Sequence, residues 1–374
     1  MDFGIIFEIQ TSNPFTDHRE AAAWMEALSQ GERADQVGFD AVWAVEHHFL
    51  VEYAHCSAPE VFLAALSQRT KRVRLGHGVV VAPPPVNHTF RIAERIAALD
   101  IISGGRVEAG FGRGFSDLEQ HGFNMDPEHT RQMALEAVRC LPKIWAPGEF
   151  EGYKSEYLDL PPRTVIPKPL QDPHPPLWWA CTSPPSFELA AQEGFGCLCF
   201  AFQPPEELGA RIASYRQRCE ETAASRSEAE RASVNEKVVG YTTALCLEDA
   251  SEARRLGAAG FLFNLRRWID YIRPFAVLPS HEFYAKLLDN PLLDALDNVT
   301  SATSPAEMEK IGGTLCELGY CALGDIDDCM SVVNRFKSLG VDQMLMLMQT
   351  AGIPDEKVKE SIDLFGTSII PKAR

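Results

Sequence analysis

Glu46, His47 and His48 follow directly on an apolar, β-prone run at 41–45 (AVWAV). A strand that runs straight into titratable residues places them at its carboxyl end, where α/β proteins bind their ligands. Imidazole titrates near neutral pH, so His47 beside Glu46 suits general acid–base work. The plainer alternative is a pair of hydrogen-bonded packing histidines. Adjacent residues of an extended chain point to opposite sides, which argues against one metal held by both. A zinc barrel would show His-x-His on one strand face with a carboxylate, a set the sequence does not offer.

Two further stretches could bind. GFGRGF at 110–115 follows a strand, but its G-x-G-x-G spacing and late place in the chain depart from a dinucleotide fingerprint. It reads better as backbone that must approach a ligand, with Arg113 to neutralise an anion, or else as a tight turn with a solvated arginine. Thr182-Ser183-Pro184-Pro185-Ser186 precedes a helix, and hydroxyls with free N–H groups at a helix start hold anions. By itself this is equally an ordinary N-cap. Arg131, early in another helix, could supply matching charge. Together these residues suggest a phosphorylated cofactor.

The elements that must position them alternate. Strands are expected at 3–9, 39–45, 73–82, 107–111, 177–180, 197–202, 237–247 and 342–348. Helices are expected at 18–36, 59–67, 88–102, 127–145, 186–192, 205–223 and 354–365. Several strands are almost continuously apolar, the mark of a parallel sheet buried on both faces. Eight of them in one chain favour a single α/β domain over 1–374, a closed (β/α)8 TIM barrel; the alternative is a doubly wound sheet with an added lobe. The proline-rich connection at 147–176 is expected to fold over the surface. The excess between strands seven and eight, 257–304, carries Phe261, Phe263, Trp268, Tyr271 and Phe275 and would emerge on the ligand face as a lid.

Composition narrows the classes. The 374 residues are 45% hydrophobic and carry a formal charge of −17, which supports a large core and disfavours nucleic acid and anionic membrane surfaces as partners. No apolar run approaches a membrane span. The start, MDFGIIFEI, enters a strand without a signal core, so a cytoplasmic location is expected. Ten cysteines without a CxxC pair read as reduced, buried small hydrophobes. Asn298-Val-Thr is a glycosylation sequon without meaning unless the chain is secreted.

MDFGIIF, GFDAVWAVEHHF, RVRLGHGVVV, RIAERIAALDIISGGRVEAGFGRGF, WWACTSPPSFELAAQEGF and VDQMLMLM together resemble the bacterial luciferase-like flavin-dependent oxidoreductases. EHHF combined with Asp100, Ser103, Gly105, Arg106 and the following GRG is specific to that resemblance. It implies a barrel that binds FMN at its carboxyl-end face, with His47 as the catalytic histidine, its tautomer set by Glu46 or His48. The implied cofactor site comprises Gly78, Val79, Arg113, Gly114, Phe115, Arg131, Thr182, Ser183 and Ser186. Arg113 and Arg131 fall on phosphate-binding arginines, 182–186 on the phosphate loop, and Gly78-Val79 on a non-proline cis peptide. Gly112 stands where luciferase has a reactive cysteine, Cys181-Thr182 replace a Glu-Ser pair, and Phe200 and Ala201 replace Ser-Trp, so light emission is not expected. The implied activity is oxygenation of a small, apolar or aromatic organic substrate through a flavin hydroperoxide. Dioxygen and reduced FMN from a separate reductase would be consumed, with the chain paired as a homodimer. The competing readings are a deazaflavin-dependent hydride-transfer enzyme and a non-catalytic flavin-binding protein; a metal hydrolase lacks ligands.

Overall fold

A computed structural model describes residues 1–11, 15–199, 205–275, 288, 299, 302–350 and 352–374. Short apolar runs form β1 (Asp2–Phe7), β2 (Ala41–Ala44), β3 (Arg74–Val81), β4 (Val107–Gly112), β5 (Leu177–Cys181), β6 (Gly196–Cys199), β7 (Val238–Cys246) and β8 (Gln343–Leu347). Each pairs in parallel with the next, and β8 pairs with β1, so the ring closes. The expected eight-stranded TIM barrel is therefore the fold. The last residues expected in the sixth strand, 200–202, lie outside the described residues, as do Phe200 and Ala201 and the sequon's Asn298.

Helices on the outside are α1 (Arg19–Val37), α2 (Pro59–Ser67), α3 (Thr89–Ser103), α4 (Asp117–Gly122), α5 (Thr130–Trp145), α6 (Pro184–Glu193), α7 (Pro205–Ala223), α8 (Glu228–Ser233), α9 (Ala250–Ile272), α10 (Pro305–Glu317), α11 (Ile326–Ser338) and α12 (Asp355–Leu364). Two small features escape the sequence. Tyr153–Lys154 and Asp159–Leu160 form an antiparallel hairpin within the proline-rich connection, and Cys321–Gly324 pairs with the C-terminal half of β7.

The lumen is filled by large rings set against glycines. Trp43 meets Trp178 edge-on at 5.6 Å. Trp43 Nε1 donates to Gln343 Oε1 at 2.9 Å, and Trp178 Nε1 donates to Glu108 Oε2 at 2.7 Å, so each buried indole keeps a partner. A Cβ on Gly76 would lie 2.0 Å from the Trp43 ring; only glycine fits there. All ten cysteines are free thiols and nine are buried, as small core residues. Among the described residues no helix is long and apolar enough to cross a membrane.

The D-x-x-S-x-G-R stretch belongs to the amino-terminal end of the barrel, away from the ligand face. Asp100 accepts from the Leu170 and Gln171 N–H groups at 2.8 and 2.9 Å. The Arg106 guanidinium donates to the carbonyls of Val73, Ser67 and Ser103. The residues that carry the family resemblance here bolt α3, β3, β4 and the incoming β5 connection together; they are scaffold.

The expected insertion boundary at 257 falls within a continuous helix. Asp249 caps α9, accepting from the Ser251 and Glu252 N–H groups, and the helix runs unbroken to Ile272. Phe261 and Trp268 are buried in the core. Phe263 lies under the Arg267 guanidinium, 5.7 Å from its ring centre. Tyr271 alone of the five expected lid aromatics is seen to reach toward the ligand face; the side chain of Phe275, and residues 276–287, 289–298 and 300–301, fall outside what is described.

Candidate active site

β2 delivers His47 to the carboxyl end of the barrel, where its N–H donates to the Cys56 carbonyl at 3.0 Å. The ring packs edge-on against Phe115 and Tyr53, with centroids 4.9 and 5.7 Å away. Its Nδ1 lies 3.0 Å from Glu119 Oε1, which also accepts from the His48 N–H at 3.1 Å. The other Glu119 oxygen accepts from Phe115 N, Ser116 N and Ser116 Oγ at 3.3, 3.1 and 2.9 Å. Ser116 and Glu119 form the capping box of α4, so one carboxylate starts a helix and holds the imidazole.

These contacts decide the protonation states. Burial pushes Glu119 up, but the neighbouring His47 charge and its hydrogen bonds outweigh that and hold it below the usual carboxylate range. Burial pushes His47 down, yet the charge of Glu119, its hydrogen bond, and the charges of Glu8 and Glu46 carry it above the ordinary histidine value. Facing an ionised carboxylate, Nδ1 carries the hydrogen, which leaves Nε2 as the atom where the ring takes up or releases a proton.

The expectation that Glu46 or His48 sets the His47 tautomer is therefore corrected: Glu119 does so. Glu46 accepts from His48 Nε2, from the Val81 N–H and from Asn87 Nδ2 at 3.1, 2.8 and 2.7 Å, tying the end of β3 to the loop after β2. The two histidines do face different carboxylates, as opposite orientations on an extended chain require.

His47 and Glu46 line a cleft with Val79, Val81, Gly112, Arg113, Gly114, Phe115, Arg131, Trp179, Ala180, Thr182, Ser183 and Ser186. Of the residues expected at a cofactor, Gly78 alone is not on this lining. It sits beneath, where a Cβ would lie 3.3 Å from the Ile6 side chain and 3.4 Å from Trp43. The Gly78–Val79 peptide is cis, as the resemblance implied. A Cβ on Gly112 would lie 2.7 Å from Val79 Cγ2 and 3.6 Å from Ala180 Cβ, so this glycine keeps a narrow floor open. Arg113 has no carboxylate or hydrogen-bond partner among the described residues, although the chain is strongly acidic. The Ser183 N–H donates to Ser186 Oγ at 3.1 Å, and that hydroxyl donates back to the Ser183 carbonyl; Ser186 thus shapes the turn. Arg211 of α7, which the sequence did not single out, supports the same loop through the Thr182 carbonyl at 3.4 Å.

This lining fits a flavin mononucleotide. An arginine without a counter-ion, a second arginine and a hydroxyl-bearing turn at the start of α6 suit a phosphate. A floor kept flat by Gly112 beside His47 suits a planar ring.

Comparison with known proteins agrees with this geometry. The family model described as luciferase-like monooxygenase matches residues 1–343. The oxygenase component of a flavin-dependent trigonelline monooxygenase from Acinetobacter baylyi is 37% identical over 171 residues, 45% of this chain and 46% of that protein. The chain spans about half the length of such curated relatives, the first of which align over 46–54% of their own length. Among solved structures, the oxygenating constituent of 3,6-diketocamphane monooxygenase from Pseudomonas putida, in complex with FMN, superposes with a TM-score of 0.75. It is 20% identical, with 100% of this chain and 98% of that chain covered. An F420-dependent secondary alcohol dehydrogenase superposes with a TM-score of 0.70 at 19% identity, covering 100% and 99% of the two chains. At these identities the structural likeness speaks for the barrel alone.

Proposed function

The chain belongs to the luciferase-like monooxygenase family, and from that premise we propose that it binds FMN in the cleft beside His47 and oxygenates a small apolar or ring-bearing organic substrate. Reduced FMN comes from a separate reductase, in keeping with the oxygenase-component name of the trigonelline relative, and dioxygen is the second substrate. The observation that carries this reading is the convergence in one cleft of Arg113, Arg131, the Thr182–Ser183 turn and an imidazole held by a buried carboxylate.

Bound reduced flavin supplies the electrons that activate dioxygen. Arg113 and Arg131 hold the phosphate, with hydroxyl and N–H groups of the turn at Thr182 and Ser183 completing its shell. Gly112 and Val79 let the ring lie close to the backbone. His47 moves a proton at Nε2 while Glu119 fixes the ring and compensates its positive charge. Tyr53, Phe115 and Tyr271 pack around the imidazole, Tyr271 lying 5.9 Å from Tyr53 and 6.3 Å from Phe115 between ring centres. This apolar wall keeps water from the reacting atoms and favours an apolar or ring-bearing substrate. Apolar side chains left exposed on α2 and α3, Val61, Ile101 and Ile102, suit a homodimer, and the enzyme works in the cytoplasm.

A second reading is hydride transfer with a deazaflavin, since the same barrel also serves an F420-dependent dehydrogenase. Titration with FMN and with a deazaflavin, read by absorbance and fluorescence, separates the two. His47→Ala should keep FMN affinity and lose the coupling of dioxygen to product; an unchanged product yield removes His47 from the reaction.

A further inference from the structure

Just past the end of β1 stands a carboxylate, Glu8, that does not line the cleft. Gly4, Ile6 and Glu8 alternate onto the lumen side, Ile6 lies against Gly78, and Glu8 stands one step higher, where β1 leaves the barrel. It is 1% exposed. Gln10 Nε2 donates to Glu8 Oε2 at 2.6 Å and reaches Asn264 Oδ1 of α9 at 2.9 Å. Asn264 Nδ2 in turn donates to the Tyr241 hydroxyl of β7 at 3.3 Å. The Tyr53 hydroxyl also faces Glu8; burial first, then the charge and hydrogen bond of Glu8, push it well above the usual phenol range.

A buried acid surrounded by amides and phenols, with no arginine or lysine against it among the described residues, is an expensive arrangement for mere packing. Among the described residues the charge that most favours its ionised form is that of the His47 imidazole, and each shifts the other. The groups facing the pair are few. Tyr53 from the loop after β2, Tyr241 from β7, and the neutral Gln10 and Asn264 face Glu8; Glu119 from α4 and Glu46 face His47.

The His55 N–H donates to the Glu8 carbonyl and the His47 N–H to the Cys56 carbonyl, each at 3.0 Å, so one short stretch of backbone joins the two residues. We propose that Glu8 is a positioning residue that sets the proton affinity of His47 from the barrel side, with Gln10, Asn264 and Tyr241 holding its carboxyl in place. His47 then feels two carboxylates with different tasks. Glu119 holds the ring by Nδ1 and stays ionised. Glu8 acts through its charge: ionised, it favours the imidazolium, and once protonated it no longer does. Burial pushes Glu8 up to about 7, against the opposing charge of His47 and the hydrogen bonds around it, so its charge changes near neutral pH and the two titrations are coupled.

The proposal rests on the reading of His47 as the proton-handling group, so its test is made without turnover, on the full-length protein without added flavin. The His47 imidazole is titrated by histidine-selective nitrogen NMR in the wild type and Glu8→Gln, with His47→Asn to assign the signal. Glu8→Gln should lower the midpoint of His47 by about one pH unit, and Glu8→Asp should restore part of the shift. In wild-type protein with carbon-labelled glutamate, one carboxyl signal should titrate near neutral pH and vanish in Glu8→Gln, a measurement that does not depend on a variant folding well. An unchanged His47 midpoint in folded Glu8→Gln, or a Glu8 carboxyl that titrates in the ordinary carboxylate range, overturns the proposal. A protein that shows the coupling yet does not turn over reduced FMN would keep this inference and sink the oxygenase reading.

Discussion

Glu119→Gln is the perturbation that most separates the roles assigned around His47. The carboxylate accepts five hydrogen bonds, three on the α4 cap and two from His47 and His48. Glutamine has one acceptor oxygen. With that oxygen on the capping side, its amide nitrogen faces His47 Nδ1 and the His48 N–H, setting donor against donor. One charge-assisted bond is lost and one backbone N–H is left unmatched, a cost of about 3 kcal/mol. The imidazole must then offer Nδ1 as an acceptor and carry its hydrogen on Nε2, the wrong tautomer for accepting a proton there, and its pKa should fall by about 1–2 units. The pH dependence follows from the signs of the two shifts. Glu119 is depressed, so its contribution is complete above the ordinary 4.5 and is lost as pH falls through its folded value. His47 is raised, so its contribution is complete below the ordinary 6.5 and is lost as pH rises through its folded value. The stability gap between wild type and variant should therefore be widest between about pH 4.5 and 6.5. Urea midpoints across that range measure it, and product formed per reduced FMN, which should drop at least about tenfold, measures the catalytic consequence. A gap that does not change with pH, together with full coupling, would refute the reasoning.

Arg113→Ala should weaken FMN binding about 10- to 100-fold, and Arg131→Ala should weaken it in the same direction. Both should leave riboflavin, which lacks the phosphate, bound as in the wild type; equal losses for the two ligands would place these arginines elsewhere. Gly112→Ala puts a methyl group 2.7 Å from Val79 Cγ2 and should cost about 1 kcal/mol of stability and at least about tenfold in flavin affinity by fluorescence titration. Glu8 is raised from 4.5 to about 7, so the folded state binds its proton more tightly and loses stability as pH rises between those values. Glu8→Gln should consequently be more stable than the wild type above pH 7, by up to about 3 kcal/mol, with the difference closing in acid, as chemical denaturation would show.

The strands were legible because a parallel sheet buried on both faces needs continuous apolar runs, and seven of the eight ended within a residue or two of their expected place; the expected end of the sixth, at 202, lies outside the described residues. The two-residue strands of the 153–160 hairpin are too short to leave a pattern. α9 was obscured by Gly257 and Gly260, which look like breakers and are instead close-packing positions. A Cβ on them would lie 2.3 Å from the Leu323 side chain and 2.0 Å from Thr350 Oγ1. At the site, His47, Val79, Arg113, Arg131 and the 182–186 turn were expected, and the fold brings them together. The partner of His47 was assigned to its neighbours in sequence because the true one is 72 residues away. A signal did exist in Ser116-x-x-Glu119, the mark of a capped helix starting just after the glycine-rich turn. Glu8 passed as a strand residue, although a carboxylate in an otherwise apolar run was itself the clue.

The central claim is that this cleft holds reduced FMN beside a histidine that controls its reaction with dioxygen. Stopped-flow absorbance of reduced FMN mixed with the protein and air tests it most directly. The account predicts flavin reoxidation in two resolved phases, the second slower than for free reduced FMN and altered in His47→Ala. A single phase at the rate of free flavin, the same with and without the protein, would contradict it.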